Sequence, residues 1–366
     1  MKSIITNNSD FLFIYEAIQC NPNGDPDEEN KPRMDKDTST NLVTDVRVKR
    51  YIRDYLKQGE TDIFVDMEGD RKVNMETRLE GVFRGLLANP AELKTVFESR
   101  EDMEKTFNDI VSGKVAKKDK KDKKDKKEEE PTLFAEEETG KKEAPKNDPF
   151  KLIQEAKNTE LNNFLLTHLV KEKFTDIRLF GSAFAVGSFA KTFTGPVQLN
   201  WGYSLHPVQL MESDAIVTIM SDDSSTFGKD YRVHYSLLAF HGSINKHAAK
   251  STGMTQNDLE LFRNAIWESI PANPTRSKLN QYPKMYLEII YNEGFTNGQF
   301  GDLRQYVKAT AKMYDNGMEK PIRSLTDLDL DFSGLKRILD EDKHKEQPCI
   351  QAAYLKTAAG IVFKIA

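Results

Sequence analysis

The strongest constraint on this chain is the order in which its buriable segments come. FLFIYEAIQC (11–20), YRVHYSLLAFHGSIN (231–245) and KMYLEIIYNE (284–293) are apolar, β-rich runs of strand length. LVTDVRVKRYIRDYLK (42–57) has helical spacing instead. Val48, Ile52, Tyr55 and Leu56 can share one face, and Lys49 and Arg53 lie one turn apart on another. Thr44 or Asp45 sits at or near its first turn. TQNDLELFRNAIWESI (255–270) predicts a second helix with Asn257 or Asp258 as its cap. DIRLFGSAFA (176–185) reads as a strand, FTGPVQLNWGYSLHPVQL (193–210) as strands broken by turns, and residues 147–174 as helix. The resulting order, β-α-β-β-α-β, is that of a ferredoxin-like sheet, the arrangement RNA-recognition domains also use. The expected class is α+β, with long insertions between core elements.

The largest insertion cannot join a core. KKDKKDKKDKKEEEPTLFAEEETGKKEAPKND (117–148) holds eleven Lys and eleven acids. With so little to bury, it is expected to be disordered or a frayed, solvated helix. Elsewhere the composition is that of a soluble globular protein, 38% hydrophobic and 30% charged. No apolar run approaches the ~20 residues of a membrane helix, and Met1 to Asp10 carries no secretory pattern. Cys20 and Cys349 lack metal-like spacing and are expected as reduced thiols, which places the chain in the cytoplasm.

A net charge of −5 argues against a uniformly basic nucleic-acid binder, but the charge is uneven. Residues 22–30 carry −4, and residues 31–57 carry eight Lys/Arg against four Asp. A local basic strip of this kind can follow a phosphate chain. Between the first strand and the first helix lies NPNGDPDEENKPRMD (21–35). Gly24 permits positive φ, Asn21 and Asn23 can bond their own backbone, and three prolines stiffen the path. Such a loop either presents a binding group or merely caps the sheet; residue types alone do not separate the two. Asp25 and Asp27 together allow a metal-binding reading.

Other chemistries find no support. His234 and His241 are seven apart on one strand and point to opposite faces, so no zinc set forms. There is no nucleophile–base spacing, no phosphate-cradling GxxxxGK[ST] loop and no aromatic RNA-recognition signature. Residues 206–230 read either as ordinary half-buried strand positions, the reading their residue types favour, or as a projecting hairpin. Val208, Leu210 and Met211, with Ile219 and Met220, are candidates for an apolar wedge between bases.

Five motifs then fall in a familiar order. NPNGDPDEENKPRMD, LVTDVRVKRYIRDYL, DIRLFG, FTGPVQLNWGYSLHPV and LLAFHGSINKHAAKSTG, spread from residue 11 to about residue 255, together resemble the backbone subunit of type I CRISPR Cascade complexes. This is the Cas-seven family; the nearest subtype is I-B, then I-C. The resemblance implies a hand: an RNA-recognition-type palm (1–57, 176–205 and 231–366), a finger insertion (58–175) and a thumb (206–230). It implies that the chain binds CRISPR guide RNA (crRNA), stacks head to tail on further copies of itself, contacts other Cascade subunits and displays the guide for pairing with target DNA. It implies no cofactor, no metal and no catalysis, since a separate helicase-nuclease cuts. Guide contact is carried over to Asn21, Asn23, Arg33, Thr44, Lys49 and Arg53, and further to Arg50, Arg178, Ser182 and Lys191. The wedge falls to Val208, Leu210 and Met211. Type III relatives cut RNA with a loop aspartate, so a metal-dependent endonuclease using Asp25 or Asp27 is the alternative.

Overall fold

The computed structural model describes residues 3–66, 74–98, 100–113, 148–212, 215–217 and 227–365. The charged run, apart from Asp148, and the wedge candidates Ile219 and Met220 lie outside the described residues. The chain forms two compact units. The first comprises Met1–Phe64, Lys173–Ser182 and Phe193–Ala366, the second Val65–Glu172 and Ala183–Thr192.

The first unit is a mixed α/β body on an antiparallel sheet. Its core elements are β1 (Ser9–Cys20), α1 (Asp45–Gln58), β2 (Val197–Leu199), β3 (Gly202–Ser204), β4 (Val233–Ile244), α2 (Gln256–Ala272), β5 (Gln281–Tyr291) and β6 (Ile350–Thr357). β1 is central. It pairs antiparallel with β4 (Phe13 opposite Phe240) and with β5 (Phe13 opposite Tyr286). β2 and β3 follow on the far side of β4, and β6 flanks β5.

Residues 9–17 of β1 are all buried, which explains the unbroken apolar run from Phe11 to Tyr15: the sheet is covered on both faces. Phe11, Phe13, Tyr15 and Ala17 pack with Val48, Tyr51, Ile52 and Leu56 of α1 and with Phe262 and Ile266 of α2. Leu12 and Ile14 belong to a second core with Leu287 and Ile289 of β5 and with Leu335 and Leu339 of the helix Ser333–Lys343. Alternation along one strand therefore feeds two separate cores.

Helix starts follow the expected chemistry with small shifts. Thr44 caps α1, its Oγ1 accepting from Arg47 N at 3.3 Å. The cap of α2 is Thr255 and not Asn257 or Asp258. Asp258 instead closes a capping box, its Oδ2 accepting from Thr255 N at 2.8 Å. The helical segment 147–174 divides into Pro149–Ala156 and Thr159–Glu172 at Lys157, whose φ is +49°.

The expected strand at 176–185 is corrected. Thr175–Phe180 is a short helix, and Gly181–Val186 pairs with Phe189–Thr194 in a separate ribbon. The place beside β4 belongs to β2 and β3. Every residue of the short helix is buried, Thr175, Asp176 and Arg178 included, and D-I-R-L alternates polar and apolar residues as a strand would. It ends where two backbones cross without room for side chains. A Cβ on Gly181 would meet Phe193 O at 2.2 Å, and one on Gly195 would meet the Phe180 carbonyl carbon at 2.0 Å.

The second unit has its own aromatic core. Phe189 lies 4.5 Å from Phe83 and 6.1 Å from Phe150, ring centre to ring centre. That packing places residues 183–192 with 65–172 and not with the middle segment 176–205 in which the sequence had grouped them. Beyond residue 212, the backbone shows Ala215–Val217 paired antiparallel with Phe227–Lys229. Among the described residues no helix is long and apolar enough to cross a membrane, and both cysteines are free and buried.

Candidate nucleic-acid interface

The loop 21–44 leaves β1 and returns to the start of α1, and its asparagines build it. Asn21 is buried; its Nδ2 donates to Asn30 O at 2.8 Å, its N to Ser277 O at 2.8 Å, and its carbonyl accepts from Lys278 Nζ at 2.7 Å. Asn23 Oδ1 accepts from Thr44 N at 2.9 Å and from Thr44 Oγ1 at 3.0 Å. Arg33 N donates to Asn23 O at 3.0 Å. Asn21, Asn23, Thr44 and the backbone of Arg33 thus form one hydrogen-bonded frame. Gly24 serves close approach and not positive φ: a Cβ there would lie 2.9 Å from Asn30 O.

The cations separate into two kinds. Lys49 pairs with Asp45 at 2.9 Å and Arg50 with Asp54 at 2.6 Å, both one turn apart on α1. Such pairs are worth roughly 0.3–0.5 kcal/mol and yield readily to a phosphate. Arg33 reaches Asp25 at 3.1 Å. Arg53 and Arg178, by contrast, are built into the protein. Arg53 Nε donates at 3.0 Å to Asp176, a carboxylate with no exposed surface that also accepts from Phe64 N at 2.9 Å. Arg178 is bidentate to Asp258, at 3.0 and 2.7 Å, and also donates to Thr175 Oγ1. These two arginines anchor the short helix 175–180. Ser182 is half-buried at the start of its ribbon. Lys191 lies in the second unit, its Nζ bonded to Thr167 Oγ1 and its pKa lowered by burial and then by Lys171.

Two cations that the sequence did not single out stand beside the frame. Arg47, in the first turn of α1, lies over the ring of Tyr51 with its guanidinium carbon 4.0 Å from the centroid. Its Nε is buried without a partner. Lys278 comes from the turn before β5. Burial, then the charge of Arg47, brings its pKa down to about 8. Among the described residues no carboxylate pairs with either one. The nearby Cys20 thiol is pushed up to about 12, chiefly by burial, so it offers no counter-charge. Two neighbouring cations beside a helix N-terminus, lacking an internal anion, form a site for an external one. Arg47 carried a faint signal in its spacing to Tyr51. Lys278 carried none, because only tertiary folding brings it to Asn21.

The expected wedge residues that are described differ in exposure. Val208 is buried and its N donates to Ser39 O at 2.8 Å, so it anchors the hairpin base. Met211 N donates to Arg232 O in the same edge, and Leu210 is 38% exposed. Below the hairpin, Glu29 accepts from Tyr231 Oη at 2.8 Å and from Lys229 Nζ at 3.3 Å, which ties the loop to this edge. Among the described residues no group of three or more His, Cys, Asp or Glu is placed to hold a metal ion. Asp25 is engaged by Arg33 and by the backbone N of Asp27 at 3.2 Å, an arrangement that shapes the loop.

Fold and site together define an α+β protein whose antiparallel sheet ends in an asparagine-framed loop beside paired cations. The family model for CRISPR-associated protein Cas7 matches residues 7–112 and 98–333, and the chain belongs to that family. It is 28% identical over 341 residues to the CRISPR-associated protein Cas7 of Haloferax volcanii, covering 91% of this chain and 83% of that protein. Two solved structures are also similar. A CRISPR RNA-guided surveillance complex, pre-nicking, aligns at 14% identity and TM-score 0.43 over 79% of this chain and 80% of its own. A second CRISPR RNA-guided surveillance complex aligns at 13% and 0.44 over 96% and 92%.

Proposed function

We propose that this chain is a non-catalytic, guide-RNA-binding backbone subunit of a type I Cascade complex of the I-B kind that its motifs resemble. It stacks head to tail on further copies, meets other subunits and displays the guide for target DNA. The observation that carries this reading is the Arg47–Lys278 pair at the start of α1, held against the Asn21–Asn23 frame without an internal counter-ion. Lys49, Arg50 and Arg33 extend the positive strip. Family membership supports the ligand class, and the antiparallel order β5-β1-β4-β2/β3 supports an RNA-recognition-type palm. The second unit is then the finger insertion, and the hairpin from 206 to 230 the thumb.

A subunit that must accept any guide cannot depend on base edges. Arginine and lysine contacts to phosphate position a strand without reading it. Head-to-tail contacts do not close by themselves, so the length of the RNA can set the length of the stack.

Binding of a labelled single-stranded guide as a function of pH tests the grip. Lys278, with its folded pKa near 8, is mostly charged at pH 7 and mostly neutral at pH 9. If binding requires the charged form, apparent affinity falls up to about tenfold between these values. Lys278→Gln is expected to flatten the profile. A wild-type profile already flat over this range removes Lys278 from the site.

A further inference from the structure

Trp201 stands 46% exposed in the first unit, and its position is built. On β4, Gly242 faces Leu199 and Ala239 faces Tyr203. The β2–β3 strand therefore has one residue more than its partner, a bulge at Asn200–Trp201, the device that re-aims a side chain. Three contacts hold it. Trp201 N donates to Asn200 Oδ1 at 2.8 Å, and Asn200 N donates to His241 O at 3.0 Å. The carbonyl of Trp201 accepts from Arg304 Nη1 at 2.6 Å. Arg304 is itself buried, paired with Asp302 and stacked over Tyr203 at 4.1 Å. Gly202 is required next in sequence, since a Cβ there would lie 2.3 Å from the Phe240 ring.

A buried, paired arginine and an obligatory glycine thus hold a large apolar side chain out toward solvent. The guanidinium of Arg33, on the loop assigned to the guide, lies 5.8 Å from the Trp201 ring. An open indole face beside a cation, continuous with a phosphate grip, suits a flat aromatic group carried on an anionic chain.

We propose that Trp201 is a stacking platform for a nucleobase of the single-stranded RNA gripped at Asn21–Thr44. The inference rests on the guide-binding reading and deepens it. Stacking engages the face of a base and leaves its pairing edge free, so the platform tolerates any guide sequence.

The test isolates the indole. The chain has two tryptophans, and Trp267→Phe leaves Trp201 as the sole emitter. A fluorescein-labelled mixed-sequence RNA is titrated in low salt, with RNA anisotropy and tryptophan emission followed together. Saturable quenching in step with anisotropy is expected. Trp201→Ala is expected to weaken binding about tenfold, and Trp201→Phe, which keeps a ring, less than threefold. RNA binding that leaves emission and the Trp201→Ala affinity unchanged overturns the platform while the guide-binding reading stands. Loss of self-association in Trp201→Ala with RNA affinity intact overturns it in favour of a protein contact. An anisotropy trace that never rises sinks the guide-binding reading and the platform with it.

Discussion

Replacing Arg47 and Lys278 together by alanine is expected to weaken binding of single-stranded guide RNA roughly a hundredfold at low salt and to lower the slope of log K against log [salt] by about 1.4. The size follows from the geometry. Lys278 Nζ donates to the carbonyl of Asn21, Arg47 lies over the Tyr51 ring, and among the described residues neither has a carboxylate to neutralise it. Their charge is available to phosphate and is partly desolvated before the ligand arrives, which raises the value of each contact. The loss should be the same for guides of unrelated sequence, because neither residue is asked to read a base. Arg53→Ala is the informative contrast. Its guanidinium is tied to a carboxylate with no exposed surface, so the salt slope should be unchanged and the protein less stable. A slope that falls with Arg53→Ala and not with the double variant would reverse the assignment.

Arg178→Ala is expected to lower the unfolding free energy of the first unit by about 3–5 kcal/mol. The substitution strands Asp258, a carboxylate only 3% exposed that also closes the capping box of α2. Burial pushes the Asp258 carboxyl up, but the Arg178 hydrogen bonds, with those of Thr255, bring its pKa net below the usual value. The sign follows. A depressed carboxyl pKa stabilises the fold above the unfolded value and loses that contribution as pH falls through the folded one. The gap between wild type and variant is therefore widest at neutral pH and narrows in acid. Urea unfolding followed by tryptophan emission reads this unit, since Trp201 and Trp267 both belong to it. Arg50→Ala, which breaks a half-exposed pair with Asp54 one turn along α1, should shift stability by less than about 0.5 kcal/mol. A shift below about 1 kcal/mol for Arg178→Ala would contradict this anchoring role.

The frame of the sheet was legible where period and burial agree. β1 and α1 appear within a few residues of where an apolar, β-rich run and helical spacing put them, because one feeds two cores and the other presents a single apolar face. The short helix 175–180 was unreadable as a helix: six residues are too few to show a helical period, and the alternating D-I-R-L imitates a strand. Asn21, Asn23 and Thr44 were legible as loop-makers, since the chemistry that favours asparagine and threonine at turns and caps is local. The buried partners of Arg53 and Arg178 were not legible, for the opposite reason. An arginine in a polar sequence looks solvent-facing until its buried carboxylate arrives from a distant segment. Lys278 and Trp201 were silent because one depends on a loop 257 positions from Asn21 and the other on a bulge that only the paired strand defines.

Affinity for several guide RNAs of equal length and unrelated sequence, measured side by side at two salt concentrations, bears most directly on the central claim. A grip on the sugar-phosphate chain predicts dissociation constants within about twofold of one another and a common, steep salt slope. Strong preference for particular sequences, or equal binding at both salt concentrations, would contradict it.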